Sequence, residues 1–228
     1  MKLGIIAAMK IEAELIEAAM TDIVRETCGS IEFCLGKIGS TDIVLAVCGI
    51  GKVFAAICAQ TMIVKYAPDA IINTGVGGTL TKKRSVGDVA VSSAIVQHDM
   101  DTSALGDPVG LISGPNIIEI PADAALAEKI SAIVKDMGIN TVTGTIATGD
   151  QFIAKQETKD RIVERFGAIA CEMEGAAIGQ VCFVNKVPFA VIRAISDDAD
   201  SGACDDYPTF AKMAAKNSAK AVIELANA

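Results

Sequence analysis

Short runs of β-branched and aliphatic residues alternate along this chain with longer segments whose apolar residues have a helical spacing. Residues 3–7 are followed by such a segment at 11–20, and residues 42–47 by another at 53–66. A strand-then-helix alternation predicts parallel strands with helices packed on them. We therefore expect an α/β fold.

The same alternation continues to the end of the chain. Further strands are predicted at 69–72, 86–93, 141–147, 168–171 and 188–192, and further helices at 122–137, 157–166, 174–184 and 208–226. The pattern predicts a central twisted mixed β-sheet flanked by about six helices. Residues 97–121 fit neither period and are predicted to form a long loop, which inside a compact domain is usually functional or interfacial.

The composition favours one domain over residues 1–228. The chain is 51% hydrophobic and 21% charged, which suits helices packed on a buried sheet, and no stretch resembles an interdomain linker. The net charge is -8 and the pI is about 4.7, so we expect no nucleic-acid partner. A basic cluster occurs at 82–84, and we interpret it as a solvated turn.

Membrane and metal sites are also not expected. No run approaches the roughly 18 to 20 uninterrupted apolar residues that span a bilayer. The seven cysteines form no C-x-x-C pair, and His98 is the one histidine of the sequence. We predict reduced core thiols, no metal, no cofactor and a cytoplasmic protein.

Five predicted strand ends carry polar or glycine-rich residues. They lie at 9–12, 49–52, 73–78, 148–152 and 193–197. Since ligands of open α/β sheets bind beyond the carboxyl ends of strands, these segments are the candidates for a binding site.

Two of these segments are glycine-rich but match no nucleotide fingerprint. The Gly49 to Lys52 segment precedes a helix, so its amides could face an anion or a sugar, or it is simply a tight turn. It lacks Walker A spacing, and Phe54 breaks the dinucleotide pattern. Leu80 breaks the same pattern after residues 75–78, so a nicotinamide dehydrogenase is disfavoured.

Acidic residues recur at the predicted strand ends. Glu172 and Glu174 end a buried strand, where a carboxylate is costly unless it binds something. The two hydroxyls of a ribose are natural partners for Glu174, and helix capping is the alternative for both acids. Together with Glu12 and Asp197, Glu174 gives three acids that could converge on one ligand.

Several segments together resemble the 5'-methylthioadenosine/S-adenosylhomocysteine nucleosidase family of the purine nucleoside phosphorylase superfamily. The segments are IIAAMKIE at 5–12, GIGKV at 49–53, INTG at 72–75, VGDV at 86–89, HDMD at 98–101, TGDQFI at 148–153, EME at 172–174 and RAISD at 193–197. They occur in the family's order over nearly the whole chain. The resemblance implies a nucleoside phosphorylase-like fold and hydrolysis of the N-glycosidic bond of an adenine nucleoside.

The resemblance also implies a role for each matching residue. Glu12 would activate the attacking water, Glu174 would hold the ribose hydroxyls, and Asp197 would support purine departure. The other implied contacts are Ser196 orienting Asp197, Arg193 beside the water, Met173 on the ribose, Phe152 and the Ile153 backbone at the adenine, and Met9, Ile50 and Tyr207 around the 5' substituent. The family is typically homodimeric, which makes Thr102 and Leu105 of the long loop candidate contacts to the pocket of the partner subunit.

The chain departs from the family pattern at two positions near the site. Val76 stands where some relatives have Ser, and Asp198 stands where close relatives can be apolar. Asp197 needs burial or neighbouring carboxylates to stay protonated near neutral pH, and Asp198 and Glu174 are candidates for that repulsion.

Three other functions remain open from the sequence. Phosphorolysis is the nearest, but the positions that resemble the phosphate site of phosphorylases are Glu12 and Gly87, so water is favoured unless Arg84 points inward. The hydrolysed nucleoside could instead be 5'-deoxyadenosine or a 6-amino futalosine. A nucleoside-binding protein without turnover is the third, and the intact acids argue against it.

Overall fold

Ten strands of the described chain form one mixed sheet. The computed structural model describes residues 1–81, 85–199 and 203–228, without the side chains of 204–206. The strands are β1 Lys2–Ala7, β2 Thr21–Cys28, β3 Ile31–Ile38, β4 Thr41–Val47, β5 Ala70–Thr79, β6 Val89–Gln97, β7 Ile120–Pro121, β8 Thr141–Thr148, β9 Ala170–Glu172 and β10 Phe189–Asp197. The predicted basic turn at 82–84, including Arg84, lies outside the described residues.

Six α-helices pack on this sheet within the described ranges. They are α1 Lys10–Ala19, α2 Lys52–Tyr66, α3 Ala124–Asp136, α4 Gln156–Phe166, α5 Gly175–Asn185 and α6 Ala203–Asn227. The predicted α/β class, mixed sheet and helix number are therefore confirmed. None of the helices described is long and apolar enough to cross a membrane.

Part of the sheet closes on itself. The strand order is β10-β6-β8-β9-β5-β1-β4-β3-β2, and β10 also pairs with β5. Strands β5, β10, β6, β8 and β9 thus form a five-strand ring, while β1, β4, β3 and β2 extend from it. The β1–β5, β5–β10 and β6–β8 pairs are parallel, whereas β10–β6 and β5–β9 are antiparallel.

The central strands are buried on both faces. Every residue of β5 and of β10 is buried. Ile16 of α1 and Ile130 of α3 belong to the core cluster on one side of the sheet, with several alanines of α6. Cys58 of α2 and Ile178 of α5 belong to the cluster on the other side. Near-continuous burial of this kind is typical of strands covered by helices on both faces.

Three local predictions are wrong. The β2–β3 hairpin was not predicted, because edge strand β2 is almost entirely exposed and has no buried face to produce a period. Residues 73–78 lie inside β5 rather than in a turn, and β10 continues past 192 to Asp197. Polar residues interrupt the apolar pattern in these two extensions, and they form hydrogen bonds inside the protein. Asn73 Nδ2, for example, donates to the Ile6 carbonyl at 3.0 Å.

The segment between β6 and β7 is largely the predicted long loop. It contains one 3-10 turn, Ser103–Leu105, and an isolated bridge between Ile112 and Ile117. Leu105 at the end of the turn is 84% exposed.

Candidate active site

A cavity of about 350 Å³ opens at the carboxyl ends of β1, β5 and β10. This volume is in the range of small-molecule sites. The predicted site residues that line it are Met9, Glu12, Ile50, Val76, Phe152, Ile153, Met173, Glu174, Ser196, Asp197 and Tyr207. The cavity thus brings together residues from all five predicted strand ends, with Ile153, Met173, Glu174 and Tyr207 from outside those segments.

Glu12 is fixed in the cavity wall by main-chain groups. Its Oε2 accepts hydrogen bonds from the backbone N–H groups of Ala8 and Met9, both at 2.9 Å, and its Oε1 accepts one from Val76 at 3.0 Å. The side chain sits in the first turn of α1 and is 3% exposed. Burial raises the pKa of Glu12, opposed by the charge of Arg193 and by these three bonds. A carboxylate of raised pKa suits a general base.

Glu174 reaches the cavity from the N-terminal end of α5. Its Oε1 accepts the Gly51 N–H at 2.8 Å, and its Oε2 lies 3.7 Å from an Arg193 nitrogen. Burial, followed by repulsion from Glu172, raises the pKa of Glu174 to about 7. Because Glu174 accepts the Gly51 N–H, the glycine-rich turn before α2 binds a carboxylate of the protein itself.

Arg193 and Glu172 form a buried ion pair in which Glu172 lines the cavity and Arg193 lies behind it. Each side chain is 2% exposed, and Arg193 also donates to the Asn73 side chain at 2.5 Å. Glu172 further accepts the Thr148 hydroxyl and the Gly175 N–H, so it both caps α5 and neutralises Arg193. Arg193 therefore does not line the cavity, and it acts on Glu12 and Glu174 through its charge.

Asp197 lines the cavity at the end of β10 and accepts hydrogen bonds from two neighbouring residues. Ser196 Oγ donates to its Oδ2 at 2.9 Å, and the Ala199 N–H donates to its Oδ1 at 2.9 Å. Asp197 is 3% exposed. The predicted contact between Ser196 and Asp197 is present.

The mouth of the cavity is apolar. Phe152 is 48% exposed and contacts Tyr207 edge-on, with ring centroids 5.6 Å apart. The Tyr207 hydroxyl lies 3.1 Å from Met9 Sδ. Half-exposed aromatic rings around three buried acids fit a ligand with a flat base and a polar sugar.

Comparisons with known proteins agree with this geometry. The family model described as "Phosphorylase superfamily" matches residues 2–227. A 5'-methylthioadenosine/S-adenosylhomocysteine nucleosidase from Shewanella loihica is 39% identical over 99% of this chain and 98% of its own length. The chain belongs to this nucleosidase family.

Two solved structures are similar over nearly their whole length. The nucleosidase of Neisseria meningitidis in complex with methylthio-immucillin-A has a TM-score of 0.96 and 35% identity, covering 99% of this chain and 98% of that one. A futalosine hydrolase of Helicobacter pylori has a TM-score of 0.93 and 34% identity, covering 97% and 95%.

Thr102 and Leu105, which the resemblance implied, and Asp198, which departs from the family pattern, do not line the cavity of this subunit. Thr102 donates to Asp107 at 2.9 Å within the long loop. Asp198 is exposed. Its repulsion of Asp197 stays a prediction.

The sequence did not predict the residues that form hydrogen bonds with the buried Arg193–Glu172 pair, or some of those that line the cavity. Asn73 and Thr148 contact Arg193 and Glu172, and Gly77 and Cys171 line the cavity. The available signal was a polar residue at the end of an otherwise apolar strand, as at Thr148. No pattern in the sequence pairs such residues across separate strands.

Proposed function

We propose that this nucleosidase-family chain hydrolyses the N-glycosidic bond of 5'-methylthioadenosine and S-adenosylhomocysteine and releases adenine. The observation that carries the proposal is the convergence of Glu12, Glu174 and Asp197 on one cavity with an apolar mouth. The named substrates are those of the relatives that match the full chain.

Glu12 is the proposed general base. It takes a proton from a water molecule, which attacks the anomeric carbon of the ribose while the bond to the purine breaks. A base with a raised pKa accepts this proton more readily than an ordinary carboxylate. The three main-chain bonds to Glu12 hold it in position for the transfer.

Glu174 and Asp197 are proposed to act on the two ends of the breaking bond. Glu174 accepts hydrogen bonds from the ribose hydroxyls and faces the positive charge that develops on the sugar. Asp197 donates a proton to the departing purine, so adenine leaves as a neutral base. Ser196 orients Asp197, Met173 packs on the ribose, and Phe152 and Ile153 contact the adenine.

Water is the proposed nucleophile because the cavity wall is poor in cations. Among the described lining residues none is Lys or Arg, and buried Arg193 is paired with Glu172. A phosphate dianion would face Glu12 and Glu174 without a cationic side chain to hold it.

Product analysis tests the proposal. Purified protein is incubated with 5'-methylthioadenosine, S-adenosylhomocysteine, 5'-deoxyadenosine or 6-amino futalosine, with and without phosphate. We expect adenine and a free sugar at equal rates in both buffers. A phosphate requirement with a sugar 1-phosphate product would make the protein a phosphorylase, and no adenine from any nucleoside would refute the assignment.

The active form is proposed to be a homodimer. Helices α2 and α5 present an exposed apolar face that includes Val53, Ile57, Val64 and Val184, exposed by 70%, 52%, 74% and 63%. Isolated apolar residues are ordinary on a surface, but a contiguous patch marks an interface. A second copy on this face, with Thr102 and Leu105 in its partner's pocket at the 5' substituent, completes the site. Light scattering of the purified protein measures this assembly.

Residues 1–228 are proposed to act as one nucleosidase domain in the cytoplasm. The described cysteines are free thiols, which fits a reducing compartment. Fractionation of cells that produce the protein tests the compartment.

A further inference from the structure

Helix α4 buries a lysine beside the proposed acid. Lys159 is 8% exposed, and its ammonium donates to the backbone carbonyl of Asp198. Burying an ammonium is costly unless the charge is paired or hydrogen-bonded, and an exposed lysine such as Lys155, just before the helix, avoids that cost. The hydrogen bond to the Asp198 carbonyl offsets the cost at Lys159.

The carbonyl that Lys159 holds belongs to the same peptide group as the Ala199 N–H. That N–H donates to Oδ1 of Asp197 at 2.9 Å, so one peptide plane connects the ammonium to the carboxylate. A cation on the carbonyl polarises the peptide and strengthens its N–H as a donor.

The backbone at this turn needs to be held. Ala199 has φ of 51°, in the left-handed region that is unfavourable for a residue with a Cβ. A Cβ on Gly78 would lie 2.8 Å from the Ala199 Cβ and 2.7 Å from Asp197 Oδ1, so the turn packs closely on β5. The position of Asp197 thus depends on the orientation of this strained peptide.

We propose that Lys159 is a positioning residue for Asp197, acting through the Asp198–Ala199 peptide group. This inference rests on the proposed role of Asp197 as the acid. Lys159 orients the carboxyl group toward the purine and makes it a stronger acid.

The titratable groups around Asp197 include neutral groups as well as the carboxyl groups of Glu12, Glu172, Glu174 and the neighbouring Asp198. Cys171 of β9 and Tyr207 of α6 interact with Asp197, and burial raises the pKa of both above its ordinary value. Lys159 also interacts with Cys171 and carries the positive charge in this group of residues.

The test compares K159M, K159Q and K159R with K155M as the matched control, using 5'-methylthioadenosine. We expect kcat of K159M to fall about 10- to 100-fold with KM nearly unchanged, in line with loss of a hydrogen bond to a charged group. Without the ammonium, Asp197 keeps its proton to higher pH. The alkaline limb of the kcat/KM profile therefore shifts to higher pH. We expect K159R to retain most of the wild-type kcat and to have its alkaline limb at the wild-type pH. K155M should match the wild type in both properties.

K159Q keeps the proposal testable if K159M does not fold. The glutamine amide still donates to the Asp198 carbonyl but has no charge. We therefore expect a smaller fall in kcat than in K159M and the same shift of the alkaline limb to higher pH. A wild-type kcat, or a lower kcat with an unmoved limb in the folded variants, would overturn the positioning role. Near-normal turnover of D197N would instead refute the proposed acid, so the two failures are distinguishable.

Discussion

Gly75 of β5 lies directly against the carboxylate of Glu12. A Cβ atom at position 75 would be 2.5 Å from Glu12 Oε1 and 3.0 Å from its carboxyl carbon. Since the same Oε1 accepts the Val76 N–H, the missing side chain of Gly75 is what allows Glu12 to bond to β5.

We expect G75A to lose activity without unfolding. The added methyl group displaces Glu12 from the water, and a misplaced general base costs about 10²-fold in kcat. G138A is the control for destabilisation alone: Gly138 does not line the cavity and nothing lies within 4 Å of a Cβ there, but its φ of 74° strains an alanine, so G138A should lower stability and keep turnover. Normal turnover of G75A with intact folding would show that the position of Glu12 is not critical.

Substitution of the two proton-transfer residues is expected to abolish most catalysis. E12Q and D197N each remove a positioned acid or base, which is worth about 10²- to 10⁴-fold in rate, or about 3 to 5 kcal/mol. Single-turnover adenine release measures the chemical step. A variant that keeps near-normal turnover removes its residue from the mechanism.

The acid limb of the pH profile is expected near neutrality. Glu174 binds the ribose hydroxyls as a carboxylate, and its pKa is about 7. As the pH falls through 7, Glu174 gains a proton and kcat/KM declines. E174Q should be less active and should lose this limb, and a limb that persists unchanged in E174Q would assign it to another group, such as Glu12.

The same raised pKa predicts a stability cost. A free glutamate titrates near 4.5, so between pH 4.5 and 7 the folded state binds more protons at Glu174 than the unfolded state. The stability therefore falls as the pH rises through this window. We expect E174Q to be more stable at pH 8 by about 3 kcal/mol, or about 10 °C in Tm, and to match the wild type near pH 4. Thermal unfolding at both pH values measures this difference.

Subunit mixing tests whether Leu105 acts in the partner's pocket. E12Q and L105D are each expected to be nearly inactive, but random mixing gives one intact pocket in four, or about a quarter of wild-type activity. Mixing E12Q with D197N is the control, because both residues belong to the pocket of the same chain and no rescue is expected. Rescue in the control, or none with L105D, would contradict the shared pocket.

The sequence predicted the class of fold from local patterns, and it predicted most of the cavity wall through the family resemblance. Alternating periods located each helix to within a few residues. Glu174 and Asp197 lie at or next to strand ends, and Glu12 lies in the first helical turn after β1. The β2–β3 hairpin was not predicted because the exposed edge strand β2 has no alternating apolar pattern.

The support behind the acids could not be predicted because it is nonlocal. The bond from Gly51 to Glu174 joins residues 123 positions apart, and the bond from Arg193 to Asn73 joins residues 120 apart. Propensity and spacing carry no information on which distant polar groups meet. Closure of the five-strand ring brings them together.

Within the described part of the chain, the hydrogen-bond donors to Glu12 are main-chain amides, at residues 8, 9 and 76. Side chains at these positions can therefore change without removing a bond to the base. Val76 is an example, since the valine contributes its N–H to Glu12 and an apolar surface to the cavity. Evolution can thus adjust which nucleoside fits the pocket while the chemistry that cuts it is inherited unchanged.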